Sequence, residues 1–314
     1  MTFQLADHWV WDFWLADDGD AFHMFYLHAP KSLVDPELRH RNARIGHAVS
    51  LDLVNWVDHG VALSHGGPDD FDATATWTGS VIRGNDGVWR MYYTGALFLP
   101  DGRNVESIGL ATSPDLKVWT KVTGTVVSAD PRWYERLGDS TWPEEAWRDP
   151  WVFADPGGDG WHMLITARSN VGAVDDRGVI GHATSSDLLT WTVQPPRSEP
   201  GAGFMHLEVP QLLEHGDGDL LVFSCDTPKL SLARQSAGNV GGVWAVEVDP
   251  LSDRFDIGAA RLLATDDLYA GRLVRTRDGE LILLAFTMND HGTFGGAISD
   301  PLPVTWTPRE EVNT

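Results

Sequence analysis

Short apolar runs and polar turns alternate along this chain at a regular interval. Strongly apolar strands are predicted at "AFHMFYLHA", "WRMYYTGA", "WHMLITAR", "DLLVFSCD" and "ELILLAFT", and each follows another apolar stretch. The preceding stretches are "VWDFWLA", "WTGSVI", "DPWVFA", "VPQLLE" and "AGRLVR". Asp-Gly and Gly-Asp pairs, which favour tight hairpins, separate many of these runs. No segment shows the sustained 3.6-residue periodicity of an amphipathic helix, so the pattern predicts antiparallel strands.

A turn motif recurs between these strand pairs. The segments "GHAVSLDLVNW" (46–56), "GLATSPDLKVW" (109–119) and "GHATSSDLLTW" (181–191) share the pattern G-x-A-x-S-x-D-L-x-x-W. Ser and Asp side chains bond nearby backbone groups in turns, so we expect Asp52, Asp115 and Asp187 to hold these turns. Five strand pairs with a repeated turn predict an all-β five-bladed β-propeller, formed by residues 1–314 as a single domain. Two β-sandwiches are the alternative, but they do not explain the repeat.

Composition and charge exclude several classes of function. The formal net charge of −22 argues against binding to nucleic acids or anionic membranes. Cys225 is the only cysteine, and we expect it to be a small buried side chain. The chain has no apolar run long enough to span a membrane and does not begin with a secretory leader, so we expect a cytoplasmic protein. It has no H-E-x-x-H motif or short-spaced histidine cluster, so we expect neither a metal nor another cofactor.

Acidic residues begin three of the five predicted inner strands: Asp12 in "VWDFW", Asp149 in "WRDPWVF" and Glu208 in "HLEVPQLL". The first strand of each propeller blade lines the central channel, so these side chains should meet at one end of it. Because crowded carboxylates repel each other, such a cluster indicates a bound cation or acid–base chemistry. Glycoside cleavage needs two such carboxylates, one beside the oxocarbenium-like centre and one that protonates the leaving oxygen.

Aromatic and polar side chains beside these acids are candidates for binding a sugar, since indole rings pack against the apolar faces of sugars. The expected binding residues are Trp11, Trp14, Trp77, Ser80, Trp147, Arg148, His206, Tyr269 and Arg272. The expected partner is therefore a small carbohydrate.

These motifs resemble the catalytic propeller of the fructan-active glycoside hydrolases, the invertases, levanases and levansucrases of families 32 and 68. "WRDPWVF" is similar to the Arg-Asp-Pro motif of that clan, and "EVPQLL" to its Glu-Cys-Pro stretch, with Val209 in place of Cys. "WTGS" resembles the Trp-Ser-Gly-Ser of the second blade and "YAGRLV" the Tyr-Ala of the fifth. "VWDFWLA" resembles the levansucrase-type Val-Trp-Asp-x-Trp-Pro, with Leu15 in place of Pro.

The resemblance implies a role for each acid. Asp12 would be an ionised nucleophile, Glu208 a general acid/base with a raised pKa, and Asp149 the stabiliser of the transition state. The implied activity is retaining hydrolysis of β-fructofuranosides such as sucrose or short fructo-oligosaccharides, with transfructosylation as a companion activity. The chain ends soon after the last predicted strand, so we expect a minimal propeller without the C-terminal β-sandwich of invertases.

Two alternatives remain open at this point. One is an inverting arabinosidase or xylosidase on the related five-bladed propeller. The other is a sugar-binding propeller without catalysis, in which at least one of the three acids would point away from the channel.

Overall fold

Five antiparallel sheets form a five-bladed β-propeller, which confirms the fold predicted from the strand pattern. The structure is a computed structural model that describes residues 2–216 and 218–307. Blade 1 consists of β1 (His8–Asp17), β2 (Phe22–Pro30), β3 (Arg44–Ser50) and β4 (Trp56–Leu63). Blade 2 consists of β5 (Ala75–Arg83), β6 (Trp89–Phe98), β7 (Asn104–Ser113) and β8 (Thr120–Val127), and the short β9 (Glu144–Glu145) pairs with β7.

The remaining blades follow the same order from the channel outward. Blade 3 consists of β10 (Trp147–Ala154), β11 (Trp161–Arg168), β12 (Gly178–Ser185) and β13 (Thr192–Gln194). Blade 4 consists of β14 (Glu208–His215), β15 (Gly218–Cys225), β16 (Gly242–Val248) and β17 (Arg261–Thr265). Blade 5 consists of β18 (Leu268–Arg275), β19 (Leu281–Thr287) and β22 (Leu302–Pro303), which pairs with β19. Between β19 and β22 the chain forms a short hairpin of β20 (Asn289–Asp290) and β21 (Thr293–Phe294).

Helical segments are short and lie between the strands. They are the 3₁₀ turns Lys31–Leu33, Pro36–Arg41, Val174–Asp176, Thr227–Lys229 and Ile257–Ala259, and the α-helix α1 (Leu232–Ser236). Within the described residues, no helix has the length and apolar content needed to cross a membrane.

The two ends of the chain close the ring. Phe3 pairs with Ile298, and Ile298 pairs with Phe286 of β19, so the first residues extend blade 5. Arg272 of blade 5 donates a hydrogen bond of 3.1 Å from Nε to the carbonyl oxygen of Phe13 in blade 1. The innermost strand of each blade is an edge of its sheet, and closure of the ring protects these edges inside the channel, which is the general advantage of a propeller.

Aromatic side chains of the repeated motif fill the interfaces between blades. Trp119 of blade 2 meets Phe25 of blade 1 edge-on, with ring centroids 5.4 Å apart. Trp191 of blade 3 meets Tyr92 of blade 2 in the same geometry at 5.4 Å. The tryptophans that end the second and third motifs therefore help to dock their blades on the preceding ones.

Each innermost strand carries a β-bulge near its start. The register shifts by one residue between Val10 and Phe13, Trp77 and Gly79, Arg148 and Trp151, Glu208 and Gln211, and Tyr269 and Arg272. In three bulges a non-glycine residue has positive φ: Asp149 at 57°, Val209 at 54° and Ala270 at 48°. An extra residue interrupts the alternation of side chains along a strand and redirects its neighbours. The bulges therefore decide which side chains enter the channel.

The repeated turn is built as its sequence predicts. In blade 3, Oδ1 of Asp187 accepts hydrogen bonds from the backbone N–H groups of Leu189 (2.8 Å) and Thr190 (2.7 Å). Ser185 Oγ accepts from the N–H of Leu188, which has a φ of 61°. Asp52 and Asp115 accept equivalent backbone bonds in blades 1 and 2. All three aspartates therefore stabilise turns.

We expect Asp187→Ala to lower the free energy of unfolding by about 1 kcal/mol, because two backbone N–H groups lose their acceptor, as at a helix N-cap. Asp187→Asn keeps an acceptor oxygen at this position, so its free energy of unfolding should fall by less. Denaturant unfolding of both variants measures the difference. An alanine variant as stable as the parent protein would show that the motif is not needed to hold the turn.

Candidate active site

Three acids from three different blades line one cleft at the end of the channel. Asp12 comes from β1, Asp149 from β10 and Glu208 from β14, and all three border a cavity of about 510 Å³. The first strands of neighbouring blades lie next to each other around the ring, and the acids belong to the bulged segments of these strands. The fold therefore brings together residues that are far apart in sequence.

Asp12 is held by a hydroxyl group. Thr78 Oγ1 of the neighbouring blade donates a hydrogen bond of 2.5 Å to Asp12 Oδ2. Burial, with the negative charge of Asp149 next in importance, raises the pKa of Asp12 to about 7. The Thr78 hydrogen bond opposes this rise because it favours the ionised carboxylate. Among the described residues, no arginine or lysine forms an ion pair with Asp12.

Asp149 is fixed by hydrogen bonds from two directions. Its Oδ2 accepts from Thr166 Oγ1 at 2.9 Å and from the N–H of Val209 at 3.1 Å. Its own N–H donates to Thr94 Oγ1 at 2.9 Å, which supports the backbone at its positive φ. Burial raises the pKa of Asp149 to about 6, although the adjacent Arg148 favours ionisation. The result is a buried carboxyl group in a single orientation.

Glu208 has cationic and hydroxyl neighbours. Arg148 donates to Oε1 from Nη2 at 2.7 Å and from Nε at 3.2 Å, and the Tyr269 hydroxyl donates to Oε2. His206 Nε2 lies 3.3 Å from Oε2. Burial by itself raises the pKa of Glu208. The neighbouring His206 and Arg148, with the hydrogen bond from Tyr269, outweigh burial and lower the pKa to about 2.

Arg148 links the blades on either side of it. Nη1 donates to both carboxylate oxygens of Glu106 in blade 2, at 3.1 and 3.0 Å, while Nε and Nη2 reach Glu208 in blade 4. Glu106 is fully buried and also accepts a hydrogen bond from the N–H of Trp147. Burial raises the pKa of Glu106 to about 8, with Arg148 opposing the rise. Glu106 thus sets the position of the guanidinium group that binds Glu208.

The order of the pKa values is the reverse of the one expected from the sequence. A raised pKa was expected for Glu208 and an ionised Asp12, whereas the free site lowers the pKa of Glu208 and raises that of Asp12. The physical reason is the distribution of cations. Arg148 contacts Glu208 directly, while Asp12 has two carboxylates near it and, apart from the Thr78 hydrogen bond, is opposed only by the more distant charge of Arg272.

Five of the expected binding residues line the cleft: Trp11, Trp77, Arg148, His206 and Tyr269. The other four lie elsewhere, which corrects the expectation for Trp14, Ser80, Trp147 and Arg272. Trp14 is fully buried and stacks on Phe25, and the Trp147 indole is buried and donates to the carbonyl oxygen of Val127.

Ser80 and Arg272 support the site from outside the cleft. Ser80 Oγ accepts a hydrogen bond from the N–H of Val152, which joins blades 2 and 3. Arg272 is buried and donates to the carbonyl oxygens of Phe13 and Pro210. It lines a second cavity of about 600 Å³ and interacts with Asp12 and Asp149 through its charge.

Several side chains in the cleft were missed from the sequence. Thr78 lies inside the "WTGS" motif, but the bulge after Trp77 directs Thr78, not Ser80, to Asp12. Trp142 and Lys229 reach the cleft from segments outside the strands. The Trp142 ring packs on the guanidinium group of Arg168, 3.8 Å from the ring centroid. No local pattern marks these positions, because their role depends on contacts between distant segments.

The cleft also contains the residues most suited to bind a metal. In the part of the chain that the structure describes, only His206, Cys225 and Asp226 form a group with metal-ligand geometry. Two of these residues, His206 and Asp226, line the cleft itself.

One protein family matches most of this chain. The family model "Glycosyl hydrolases family 32 N-terminal domain" matches residues 14–293, which include Asp149 and Glu208 and begin just after Asp12. The raffinose invertase of Escherichia coli is 28% identical over 279 residues, which are 84% of this chain and 52% of that protein. A probable sucrose-6-phosphate hydrolase of Psychromonas ingrahamii is 26% identical over 268 residues, 84% of this chain and 45% of that protein. The chain thus spans about half the length of these curated relatives.

Solved structures share the fold. The inulosucrase from Halalkalicoccus jeotgali bound to kestose aligns with a TM-score of 0.73 at 20% identity. The alignment covers 94% of this chain and 84% of that chain. The similarity therefore extends over the whole propeller.

We expect Asp12→Asn to stabilise the protein at alkaline pH. The folded pKa of about 7 exceeds the ordinary 3.8, so the cost of the buried Asp12 grows as the pH rises from about 4 to 7, is complete above pH 7 and disappears once both states are protonated. The free energy of unfolding should rise by roughly 4 kcal/mol near pH 8, because the two pKa values differ by about three units, and by less than about 1 kcal/mol near pH 4. Urea unfolding at both pH values measures this. An equal effect at both would contradict the raised pKa.

Proposed function

Because this chain belongs to family 32 of the glycosyl hydrolases, we propose that it hydrolyses β-fructofuranosides with retention of configuration. The observation that carries this proposal is the meeting of Asp12, Asp149 and Glu208 in one cleft. Asp12 lines the cavity and forms no ion pair with a described residue, whereas Glu208 is held at its side by Arg148 and Tyr269. Asp12 is thus placed to attack a bound sugar once it is ionised, and Glu208 is positioned for proton transfer.

The reaction takes two displacements. In the first, Asp12 attacks the anomeric carbon of the fructosyl unit while Glu208 transfers a proton to the departing glycosidic oxygen. In the second, Glu208 takes a proton from water, and that water displaces Asp12 and releases fructose. Asp149, fixed by Thr166 and the Val209 N–H, accepts hydrogen bonds from sugar hydroxyl groups and stabilises the charged transition state.

The three acids share the proton that the first step needs. Between pH 6 and 7 the free site holds one proton, on Asp12, because the pKa values are about 7 for Asp12, about 6 for Asp149 and about 2 for Glu208. Sugar hydroxyl groups that donate to Asp12 and Asp149 favour their ionised forms, and the bound sugar excludes water from Glu208. Substrate binding therefore moves the proton to Glu208, and the pair titrates as a unit.

The substrate class follows from the size and lining of the cleft. A cavity of about 510 Å³ with Trp11, Trp77 and Trp142 at its walls fits a disaccharide such as sucrose or a short fructo-oligosaccharide. The names of the two curated relatives, a raffinose invertase and a probable sucrose-6-phosphate hydrolase, support small substrates. Capture of the fructosyl group by a sugar hydroxyl in place of water gives transfructosylation.

Other parts of the proposal concern the whole protein. We propose that the five blades form a single catalytic domain and that the protein acts in the cytoplasm, where a free thiol such as that of Cys225 persists. The convergence of all three acids argues against a sugar-binding propeller without catalysis, which requires one of them to point away.

The proposal is tested by incubating the protein with sucrose, raffinose, inulin and aryl pentosides. We expect fructose from sucrose or raffinose, released first as the β-anomer, which proton NMR detects. Asp12→Ala should lower turnover by roughly 10⁴-fold, as loss of a nucleophile does. Asp17→Ala, which removes an exposed acid from the same strand, is the matched control. Pentose release, or initial release of the α-anomer, would replace the proposal with the inverting pentosidase.

The shared proton predicts the pH dependence of kcat/KM. It should be highest between about pH 6 and 7, fall above pH 7 as Asp12 loses the proton, and fall below pH 6 as Asp149 gains one. Thr78→Val removes the hydrogen bond that lowers the Asp12 pKa, so the alkaline limb should move to higher pH. Thr78→Ser keeps the hydroxyl group and should not move it. If the alkaline limb of the profile is unchanged in Thr78→Val, the titration of Asp12 is not the cause of that limb.

A further inference from the structure

An imidazole, a thiol and a carboxylate meet at the edge of the cleft in blade 4. One ligand atom from each of His206, Cys225 and Asp226 lies within 4.8 Å of the other two. His206 precedes β14 and Cys225 ends β15, and the antiparallel register of these strands, with Glu208 opposite Ser224, brings them together. The group is therefore held by the sheet and not by a loose surface loop.

His206 lacks the partners that a buried imidazole normally has. The residue is only 5% exposed, and neither ring nitrogen makes a hydrogen bond to any residue that the structure describes. Nε2 points toward two carboxylates, 3.3 Å from Glu208 Oε2 and 3.4 Å from Asp226 Oδ1. A buried polar group without a hydrogen bond is destabilising, and its presence in a folded protein calls for a ligand or a function. A cation bound at Nε2 would satisfy it.

The donor set selects the kind of cation. Nitrogen, sulfur and carboxylate oxygen together suit Zn²⁺ or Cd²⁺, whereas Mg²⁺ and Ca²⁺ require oxygen ligands. The positive charges of Lys229 and Arg148, which also line this cleft, disfavour the binding of a cation. The charge of Arg148 is balanced by Glu208, whose Oε1 accepts a hydrogen bond from it. The carboxylates of Asp226 and Glu208 face His206 from the other side.

We propose that His206, Cys225 and Asp226 form an inhibitory binding site for a thiophilic divalent cation, Zn²⁺ or Cd²⁺. When the metal–sulfur bond forms, the Cys225 thiol releases its proton to solvent. The bound cation lies beside Glu208 and occupies the wall of the cleft, where it hinders the binding of a sugar. Inhibition in this form rests on the proposed function, whereas metal binding does not.

Cadmium binding is measured on the full chain, freed of metal, by equilibrium dialysis and by the ultraviolet absorption of the Cd–thiolate bond. We expect one Cd²⁺ per chain with thiolate absorption. Cys225→Ser should abolish the absorption and weaken binding at least tenfold, and Asp226→Asn should weaken binding while retaining the absorption. His291→Ala, which removes a fully exposed histidine, is the control and should change neither.

Inhibition is then measured with Zn²⁺ on fructoside hydrolysis, with Mg²⁺ as the control cation. Cys225→Ser should keep the basal rate and need at least tenfold more Zn²⁺ for half inhibition. Absence of thiolate absorption, or equal inhibition of Cys225→Ser and parent, would overturn the site. If the protein hydrolyses no fructoside but binds one Cd²⁺ through Cys225, the metal site stands and the proposed function falls.

Discussion

Repulsion between carboxylates at the end of a closed channel is the constraint that shapes this site. Asp12, Asp149 and Glu208 are brought together by the ring, and three ionised acids in a partly dry cleft would destabilise it. The protein meets this constraint in two ways. It gives Glu208 a cation, Arg148, and it raises the pKa of the other two acids so that a proton is retained. Stability and the supply of a catalytic proton thus have one physical origin.

Arg148 connects three blades through its ionic contacts. It belongs to blade 3, its guanidinium group binds Glu208 in blade 4, and the buried Glu106 of blade 2 holds it from behind. Removing one member of such a buried ionic group leaves the others unpaired, which is far more destabilising than the loss of a surface pair. The geometry of the acids therefore depends on the docking of neighbouring blades, to which the motif residues Trp119 and Trp191 contribute.

The bulges connect the propeller to its chemistry. A regular strand would alternate its side chains, and Asp12 could not reach the cleft beside Trp11. An extra residue in each inner strand allows both residues to line the cavity, and the same device at β5 presents Thr78. Non-glycine residues at positive φ, among them Asp149 itself, are strained conformations of the kind that cluster at functional sites.

The sequence by itself determined the blades, the repeated turns and the three acids, because strand alternation, Ser and Asp turn chemistry and short motifs are local properties. Tertiary structure decided what depends on distant contacts. It placed Trp14 in the core and Ser80 between blades, and it brought Glu106 to Arg148. It also decided which acid keeps the proton, because a pKa sums burial and charge over neighbours from every blade, and no local stretch of sequence contains that sum.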